Sequence, residues 1–358
     1  IICFLFAYLY SLAKDKYVSF LLKLLLFLVL FLPLALRYNI GTDYENYWQQ
    51  LMWDVNIYEN RWGGFELGWR PLIFLIKFFN LDVHWFFVIV AFFSVYFVLK
   101  IVDKKYIHYA MIIYVSTLYL DSFSLIRQAF AAIIVVYGVD LYFKTLNKKY
   151  LWICVLSVMF HTSMILFVLL LPFIFKFSKI KPFSKVTVLC LLIFVYLFFT
   201  IINIPVMIFN IIAKSMFGSM SKYFSPELYG GATELGSGLG VLLKEIVVLP
   251  FIFCSTSVLL DGEKNRLYMP MLIINYLIII TYIFSTQITI MSRFPYIFTT
   301  FYFVSLKSLT VSKSKYKKIG LMLIVIFFTC NFYVNLLKNP SSARGGLGIT
   351  PYMSIMEK

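Results

Sequence analysis

The chain alternates between long apolar runs and shorter polar stretches. A helix that crosses the hydrocarbon core of a bilayer needs about 20 mostly apolar residues. The segments 37–81 and 210–240 and the tail 338–358 are too polar to span. We predict membrane helices in the apolar runs 1–13, 17–36, 82–102, 107–120, 123–143, 149–171, 185–209, 241–260, 267–286, 292–308 and 316–337. The pattern predicts an all-α polytopic bundle of about 10–12 membrane helices, some re-entrant or broken, forming one membrane domain over residues 1–358.

Composition excludes a soluble protein. Hydrophobic residues make up 62% of the chain, charged residues 13%, and the mean hydropathy is +0.88. A soluble domain carries about 25% charged residues and could not hide so much apolar surface from water. The net charge of +16 comes from cations in short loops between apolar runs, not from one basic face. We therefore predict the lipid bilayer as a partner and exclude nucleic acid.

Lysine sets the predicted orientation. Placing the lysine-rich loops in the cytoplasm leaves 37–81, 121–124, 210–240, 287–292 and the tail outside. The clusters used are Lys14/Lys16/Lys23, Lys100/Lys104/Lys105, Lys144/Lys148/Lys149, Lys176/Lys179/Lys181/Lys185 and Lys307/Lys313/Lys315/Lys317/Lys318. The run 149–171 begins and ends beside lysine clusters, so we predict a re-entrant hairpin that turns near His161. The alternative is that 176–185 is an outer loop.

Arginine follows a different distribution from lysine. Only Arg266 falls on the predicted cytoplasmic side. The other arginines fall outside or at the outer ends of spans, and they are Arg37, Arg61, Arg70, Arg127, Arg293 and Arg344. Arginine is preferred over lysine where a planar group must grip phosphate oxygens. The distribution predicts an outer site for a phosphorylated ligand.

The first outer segment opens with RYNIGTDYENYW, residues 37–48. Its tyrosines and tryptophan could be a simple interfacial aromatic belt. Gly41, Thr42 and Asp43 form a predicted polar turn beside Arg37, which could place a carboxylate and a guanidinium at a cavity mouth. Asp43 and Glu45 are a weak signal for a divalent metal, and we predict neither a metal nor a cofactor.

Two further candidates lie near predicted membrane depth. Arg127, followed by Gln128, lies at the outer end of the run 123–143, and it could equally snorkel to the interface or pair with Asp121. His161 is flanked by apolar runs and could be a general base, or a buried histidine that donates to a backbone carbonyl. The alternatives for both residues stay open at this point.

Arg293 opens the run 292–308 just before Pro295. A cation at a helix N-terminus opposes the helix dipole, and a bound anion would remove that conflict. The simpler interpretation is a helix-end cation without a ligand.

These segments together resemble one protein family. The blocks RYNIGTDYENY, SLIRQAFA, FHTSMI, SRFPYIF and PYMSI occur in the order found in the EpsG family of Wzy-like polymerases of exopolysaccharide, capsule and O-antigen. The blocks after residue 185 match more loosely. The resemblance implies a GT-C-like glycosyltransferase architecture in the cytoplasmic (inner) membrane with an outward-facing active site. It also makes a chain-length regulator a plausible partner.

The resemblance further implies a reaction. A glycan leaves undecaprenyl pyrophosphate and joins the terminal sugar of a second lipid-linked repeat unit, so donor and acceptor are both lipid-linked. No nucleotide sugar is needed, which agrees with the absence of a P-loop or GxGxxG motif from the sequence. The alternatives are a flippase or transporter of the lipid-linked oligosaccharide and an O-antigen-type ligase.

The implied roles fall on the residues already singled out. Arg127 and Arg293, with Arg37, would hold the pyrophosphate, and His161 or Asp43 would accept the proton of the acceptor hydroxyl. The remaining substrate contacts predicted are Gln128, Tyr44 and Arg70.

Overall fold

The computed structural model describes residues 1–52, 65–177, 181–202, 239–260, 265–285, 294–338 and 347–357. The described residues form helices, turns and extended segments without a β-strand; the one pairing recorded between extended residues is an isolated bridge of Arg37 with Ser354. The predicted all-α class is confirmed. The GT-C-like architecture stays a prediction.

The helices follow the apolar runs closely. Their bounds are α1 Ile2–Leu12, α2 Lys16–Ala35, α3 Tyr44–Met52, α4 Arg70–Phe78, α5 His84–Ile101, α6 Ile107–Tyr114, α7 Ile126–Thr145, α8 Leu151–Ser157, α9 Met164–Phe177, α10 Lys185–Ile202, α11 Leu239–Leu260, α12 Asn265–Ser285, α13 Phe294–Thr299, α14 Tyr302–Val311 and α15 Tyr316–Tyr333. In the described part of the chain, α2, α5, α7 and the segment Tyr316–Leu337 are long and apolar enough to cross a membrane. Six further apolar helices there are shorter.

Several predicted runs are broken in the structure. The run 149–171 is interrupted by turns and irregular backbone at residues 158–163, the position where a turn near His161 was predicted. The run 292–308 is split at Thr300 and Phe301 into α13 and α14. Within 107–120, α6 passes into a π-helical turn, Val115–Tyr119.

The described chain forms two compact units. Unit 1 comprises Ile1–Leu170 and Ile324–Lys358, and unit 2 comprises Leu171–Leu323. Unit 2 has a buried polar contact between helices: the Ser305 hydroxyl donates to Asn275 at 3.0 Å. Small polar side chains of this kind let apolar helices approach closely and bond to one another.

In unit 1, one group of lysines and two of the arginines lie at opposite ends of the helices. At one end, Lys104 binds the Ser19 hydroxyl at 2.8 Å, and Lys144 donates to the carbonyl of Lys100. Arg37, after the end of α2, and Arg127, in the first turn of α7, lie at the opposite end of these helices. We call this opposite end the arginine end.

Helix α8 runs antiparallel to α7 and returns the chain to the arginine end. A Cβ on Gly138 would lie 2.9 Å from the Cys154 sulfur, so a glycine is needed where the two helices touch. Further along, the rings of Phe130 and Phe160 are 5.2 Å apart. Later residues of α8 therefore lie beside earlier residues of α7. His161, which follows Phe160, is thereby placed level with the first turn of α7.

Candidate functional site

The first two sequence blocks meet at the turn that follows α2. Gly41 has φ +95°, and a Cβ there would lie 2.0 Å from the carbonyl oxygen of Phe123. The amide of Thr42 donates to the Ser124 hydroxyl at 3.0 Å, and that hydroxyl donates in turn to the carbonyl of Leu347 at 3.2 Å. Only glycine fits this backbone conformation and this close approach, so the block GTDY is fixed against the segment that precedes Arg127.

The C-terminal tail closes the same arrangement. The Tyr38 amide donates to the carbonyl of Met353 at 2.9 Å, and the Ile355 amide donates to the carbonyl of Leu36 at 2.8 Å. The tail block PYMSI, residues 351–355, therefore pairs with the start of the first outer segment, although more than 300 residues separate them along the chain.

The GTDY turn, the segment before Arg127 and the C-terminal tail together form a junction. Arg37 lies beneath this junction and is only 2% exposed. Its Nη1 donates to the carbonyl of Ser122 at 3.0 Å, and its guanidinium lies over the rings of Phe87 and Phe123, at 4.8 and 5.5 Å from their centres. Among the described residues its Nε finds no hydrogen-bond acceptor. Burial lowers the pKa of Arg37 to about 10, so the group stays charged at neutral pH.

Tyr44 is enclosed by other aromatic rings. It stacks on Phe87 with the ring centres 4.8 Å apart, and on Trp48 at 5.8 Å. Its side chain is 2% exposed, and burial raises its pKa to about 12. The ring of Tyr44, a predicted substrate contact, is therefore already covered by protein in this conformation.

Arg127 has a more open environment than Arg37. Its Nη1 forms an ion pair with Glu66 at 2.8 Å, and its Nε donates to the Tyr47 hydroxyl at 3.3 Å. The guanidinium lies 5.4 Å from the centre of the Tyr47 ring and 5.6 Å from that of Phe65. The side chain keeps 22% exposure. The partner is Glu66 and not Asp121, the pairing weighed from the sequence.

The Tyr47 hydroxyl connects Arg127 to the first outer segment. Burial raises the pKa of Tyr47, Arg127 lowers it, and the nearby carboxylates of Asp43 and Glu66 raise it further. The charges of the predicted site residues Asp43 and Arg127 thus both act on one buried hydroxyl, as does the charge of Glu66, an acid that the sequence analysis did not single out.

Segment 65–69 bridges Arg127 to the turn that carries His161. The amide of Gly68 donates to the carbonyl of Met159 at 2.8 Å, and the indole of Trp69 donates to the carbonyl of Phe160 at 2.8 Å. A Cβ on Gly68 would lie 2.9 Å from the Met159 carbonyl oxygen. Glycine and tryptophan in FELGW therefore hold Glu66 between two sequence blocks.

His161 is partly buried in the turn between α8 and α9. Its Nδ1 accepts the amide hydrogen of Ser163 at 3.2 Å and lies 3.2 Å from the Ser163 hydroxyl. Because Nδ1 accepts a hydrogen bond, the proton of a neutral ring sits on Nε2. This arrangement suits the ring to donate from Nε2.

The other predicted site residues are less informative. Gln128 is buried within α7. Arg70 is the partly exposed first residue of α4, directly after Trp69. Arg293 lies outside the described residues. Within the described ranges no group of His, Cys, Asp and Glu has an arrangement that could hold a metal ion.

An apolar cavity of about 440 Å³ lies beneath Trp69 and Phe160. Its wall runs down one face of α7 through Phe130, Ile134 and Tyr137. Phe130, in this wall, lies about one turn along α7 from Arg127.

Sequence reasoning missed Glu66 and Trp69. Both lie in the polar stretch 37–81, where several acids have similar surroundings in the sequence. The available signal was the glycine–tryptophan pair directly before α4, because a glycine there indicates that another backbone segment approaches closely. This signal does not distinguish Glu66 from the other acids.

Long apolar helices around a buried polar centre define a polytopic α-helical membrane protein. Comparison with known families agrees with the resemblance found in the sequence. The model of the EpsG family matches residues 20–354, and the chain belongs to the EpsG family. No curated protein matches the chain, and no solved structure does.

Proposed function

We propose that the protein polymerises undecaprenyl-pyrophosphate-linked oligosaccharide repeat units on the outer face of the cytoplasmic membrane. In the reaction a hydroxyl of the acceptor unit attacks the anomeric carbon of the donor glycan. The bond from that carbon to the diphosphate oxygen breaks, and the diphosphate leaves with the electron pair. Family membership supports polysaccharide biosynthesis as the general process.

The observation that carries the proposal is the environment of Arg127. Aromatic rings and the bonds of Nε and Nη1 hold the guanidinium in place, and the side chain keeps 22% exposure. A fixed, partly exposed guanidinium can receive diphosphate oxygens as charge develops on them. Donors that are already oriented lower the barrier because they need not reorganise during the reaction.

The apolar cavity beneath Trp69 suits the lipid part of the donor. Its lining is aromatic and aliphatic and includes Phe130, which lies about one turn along α7 from Arg127. A polyisoprenoid chain in this cavity would leave its diphosphate near the guanidinium. We assign the cavity to the carrier lipid of the donor.

The other predicted residues take supporting roles. Asp43 lies near the Tyr47 hydroxyl, and His161 can donate from Nε2 to a phosphate oxygen. Arg37 is enclosed, so we assign it to fixing the GTDY turn in position. Arg293 stays a predicted second cation for the diphosphate.

The test uses purified protein in nanodiscs with its lipid-linked repeat unit as the sole substrate. We expect wild-type protein to form a ladder of longer lipid-linked glycans, and Arg127→Ala and His161→Ala to leave single repeats. Because arginine and histidine act on charge in the transition state, each loss should be about 10²-fold or more. Normal ladders from folded variants would overturn the assigned roles.

The same protein and substrate in proteoliposomes separate the alternatives. A flippase would move labelled repeat units across the bilayer without lengthening them. A ligase would transfer glycan only when its final anchor is added. Either result with wild-type protein would replace the polymerase proposal.

A further inference from the structure

Glu66 holds the position at Arg127 that a phosphate oxygen would take. Its Oε2 lies 2.8 Å from Nη1 of Arg127, the distance of a charge-assisted hydrogen bond. Its side chain is 15% exposed. The pair is formed by tertiary structure, since segment 65–69 is held in place by its bonds to Met159 and Phe160.

A carboxylate in this position competes with an anionic ligand. Both bind the guanidinium through oxygen atoms in the same geometry. A diphosphate carries more charge than one carboxylate and can also use Nη2, so it can displace Glu66 from Nη1. The ion pair therefore defines a resting state of the anion site.

We propose that Glu66 gives up Arg127 to the donor diphosphate and then acts as the catalytic proton acceptor for the incoming sugar hydroxyl. This inference rests on the proposed glycosyl transfer. As the hydroxyl oxygen bonds to the anomeric carbon, its proton passes to the Glu66 carboxylate. The electron pair of the broken carbon–oxygen bond leaves with the diphosphate, so atoms and charges balance.

The exchange of partners makes this assignment physically consistent. Once diphosphate oxygens occupy Nη1, the Glu66 carboxylate no longer bonds to Arg127, and its oxygen can accept the proton of the incoming hydroxyl. The other two predicted proton acceptors are less suitably placed than Glu66. Asp43 interacts with the Tyr47 hydroxyl through its charge, and Nδ1 of His161 already accepts a hydrogen bond from Ser163.

Glu66→Gln separates the two proposed roles of Glu66, which are competition with the diphosphate for Arg127 and acceptance of the proton. Glutamine keeps an oxygen that accepts from Nη1, but it has no charge to compete with an anion and does not accept the proton. We expect farnesyl diphosphate, measured by calorimetry, to bind about 2–5-fold more tightly, because a partly exposed ion pair contributes up to about 1 kcal/mol. We expect the turnover number for polymerisation to fall by about 10²-fold or more.

The matched control is Glu45→Gln, which makes the same charge change on α3 at an exposed acid that bonds to Gln49. We expect neither its diphosphate affinity nor its turnover to change by more than about twofold. A second test is Glu66→Ala with added sodium formate. Formate should restore part of the turnover, whereas chloride at equal ionic strength should not.

Opposite changes in affinity and turnover, with rescue by formate, support the proposal. Weaker diphosphate binding in Glu66→Gln would overturn the competition between carboxylate and anion. Unchanged turnover, or a loss that formate does not relieve, would overturn the proton transfer. If wild-type protein makes no polymer, the proposed function fails by itself, and the binding measurement still tests the competition.

Discussion

Arg37 and Arg127 stand at the same end of unit 1 in contrasting surroundings. Arg37 is 2% exposed and held by aromatic rings and one carbonyl, whereas the side chain of Arg127 is 22% exposed and paired with an acid. Burial of a charge without an acidic partner costs free energy and has to be compensated by local contacts. The comparison supports a structural role for Arg37 and the proposed ligand-binding role for Arg127.

The largest effect should come from Gly41→Ala in the Arg37 region. The added Cβ would collide with the Phe123 carbonyl, and alanine is strained at φ +95°. We expect a loss of several kcal/mol in the free energy of unfolding, seen as little folded protein in detergent. Thr42→Ala is the control, because it removes only an exposed side chain. Normal thermal unfolding of Gly41→Ala would show that the junction can rearrange.

Exchanging each arginine for methionine tests the comparison directly. Arg127→Met should lower the polymerisation rate by about 10²–10³-fold while changing stability by about 1 kcal/mol or less. Arg37→Met should lower the free energy of unfolding by about 1–3 kcal/mol, because it leaves the Ser122 carbonyl without its donor. Thermal unfolding and the polymer ladder are measured on both proteins. Equal losses of stability and of polymerisation in the two variants would contradict the distinction between the two arginines.

Ser124→Ala tests the contact between the two arginine regions. Its hydroxyl accepts from Thr42 and donates to Leu347, so alanine leaves both groups unpaired and should cost about 1–3 kcal/mol. Ser122→Ala is a matched control, since that buried hydroxyl donates to the carbonyl of Tyr119, three residues before it. Urea unfolding should show the larger loss for Ser124→Ala. The reverse order would mean that the junction does not depend on this hydroxyl.

The smallest effect concerns pH and Tyr44. Burial raises its pKa to about 12, so the folded state keeps a proton that the unfolded chain loses near pH 10. Stability from this group is complete below pH 10 and is lost as pH rises toward 12. Between pH 8 and pH 11 the wild type should lose about 1 kcal/mol more than Tyr44→Phe. Parallel pH curves for the two proteins would contradict the burial argument.

Most of the helical structure could be predicted from the sequence, because apolar runs of membrane-spanning length have few alternatives. The bounds of α2 and α5 lie within a few residues of the predicted runs. The break near His161 also followed from the sequence, since lysines at both ends of 149–171 were incompatible with a single crossing. The splitting of 292–308 at Thr300 was not foreseen, because no strong breaker residue stands there.

The candidate site was predicted only in part. Arg127, Asp43 and His161 were recognisable as polar residues at costly positions. Their partners were not, because Glu66 reaches Arg127 through a backbone contact between Gly68 and Met159 that no local pattern encodes. The burial of Arg37 likewise depends on Phe87, which lies on a different helix.

The sequence by itself determined that the protein is helical, that it needs a bilayer and that it carries the EpsG blocks in order. Helix formation and membrane insertion follow from the length and composition of each apolar run, which are local properties of the chain. Tertiary structure decided which arginine is enclosed, which acid meets the exposed one and that the C-terminal tail closes on the first outer segment. Such choices depend on the meeting of residues far apart in the chain, where steric fit and charge pairing select a single arrangement.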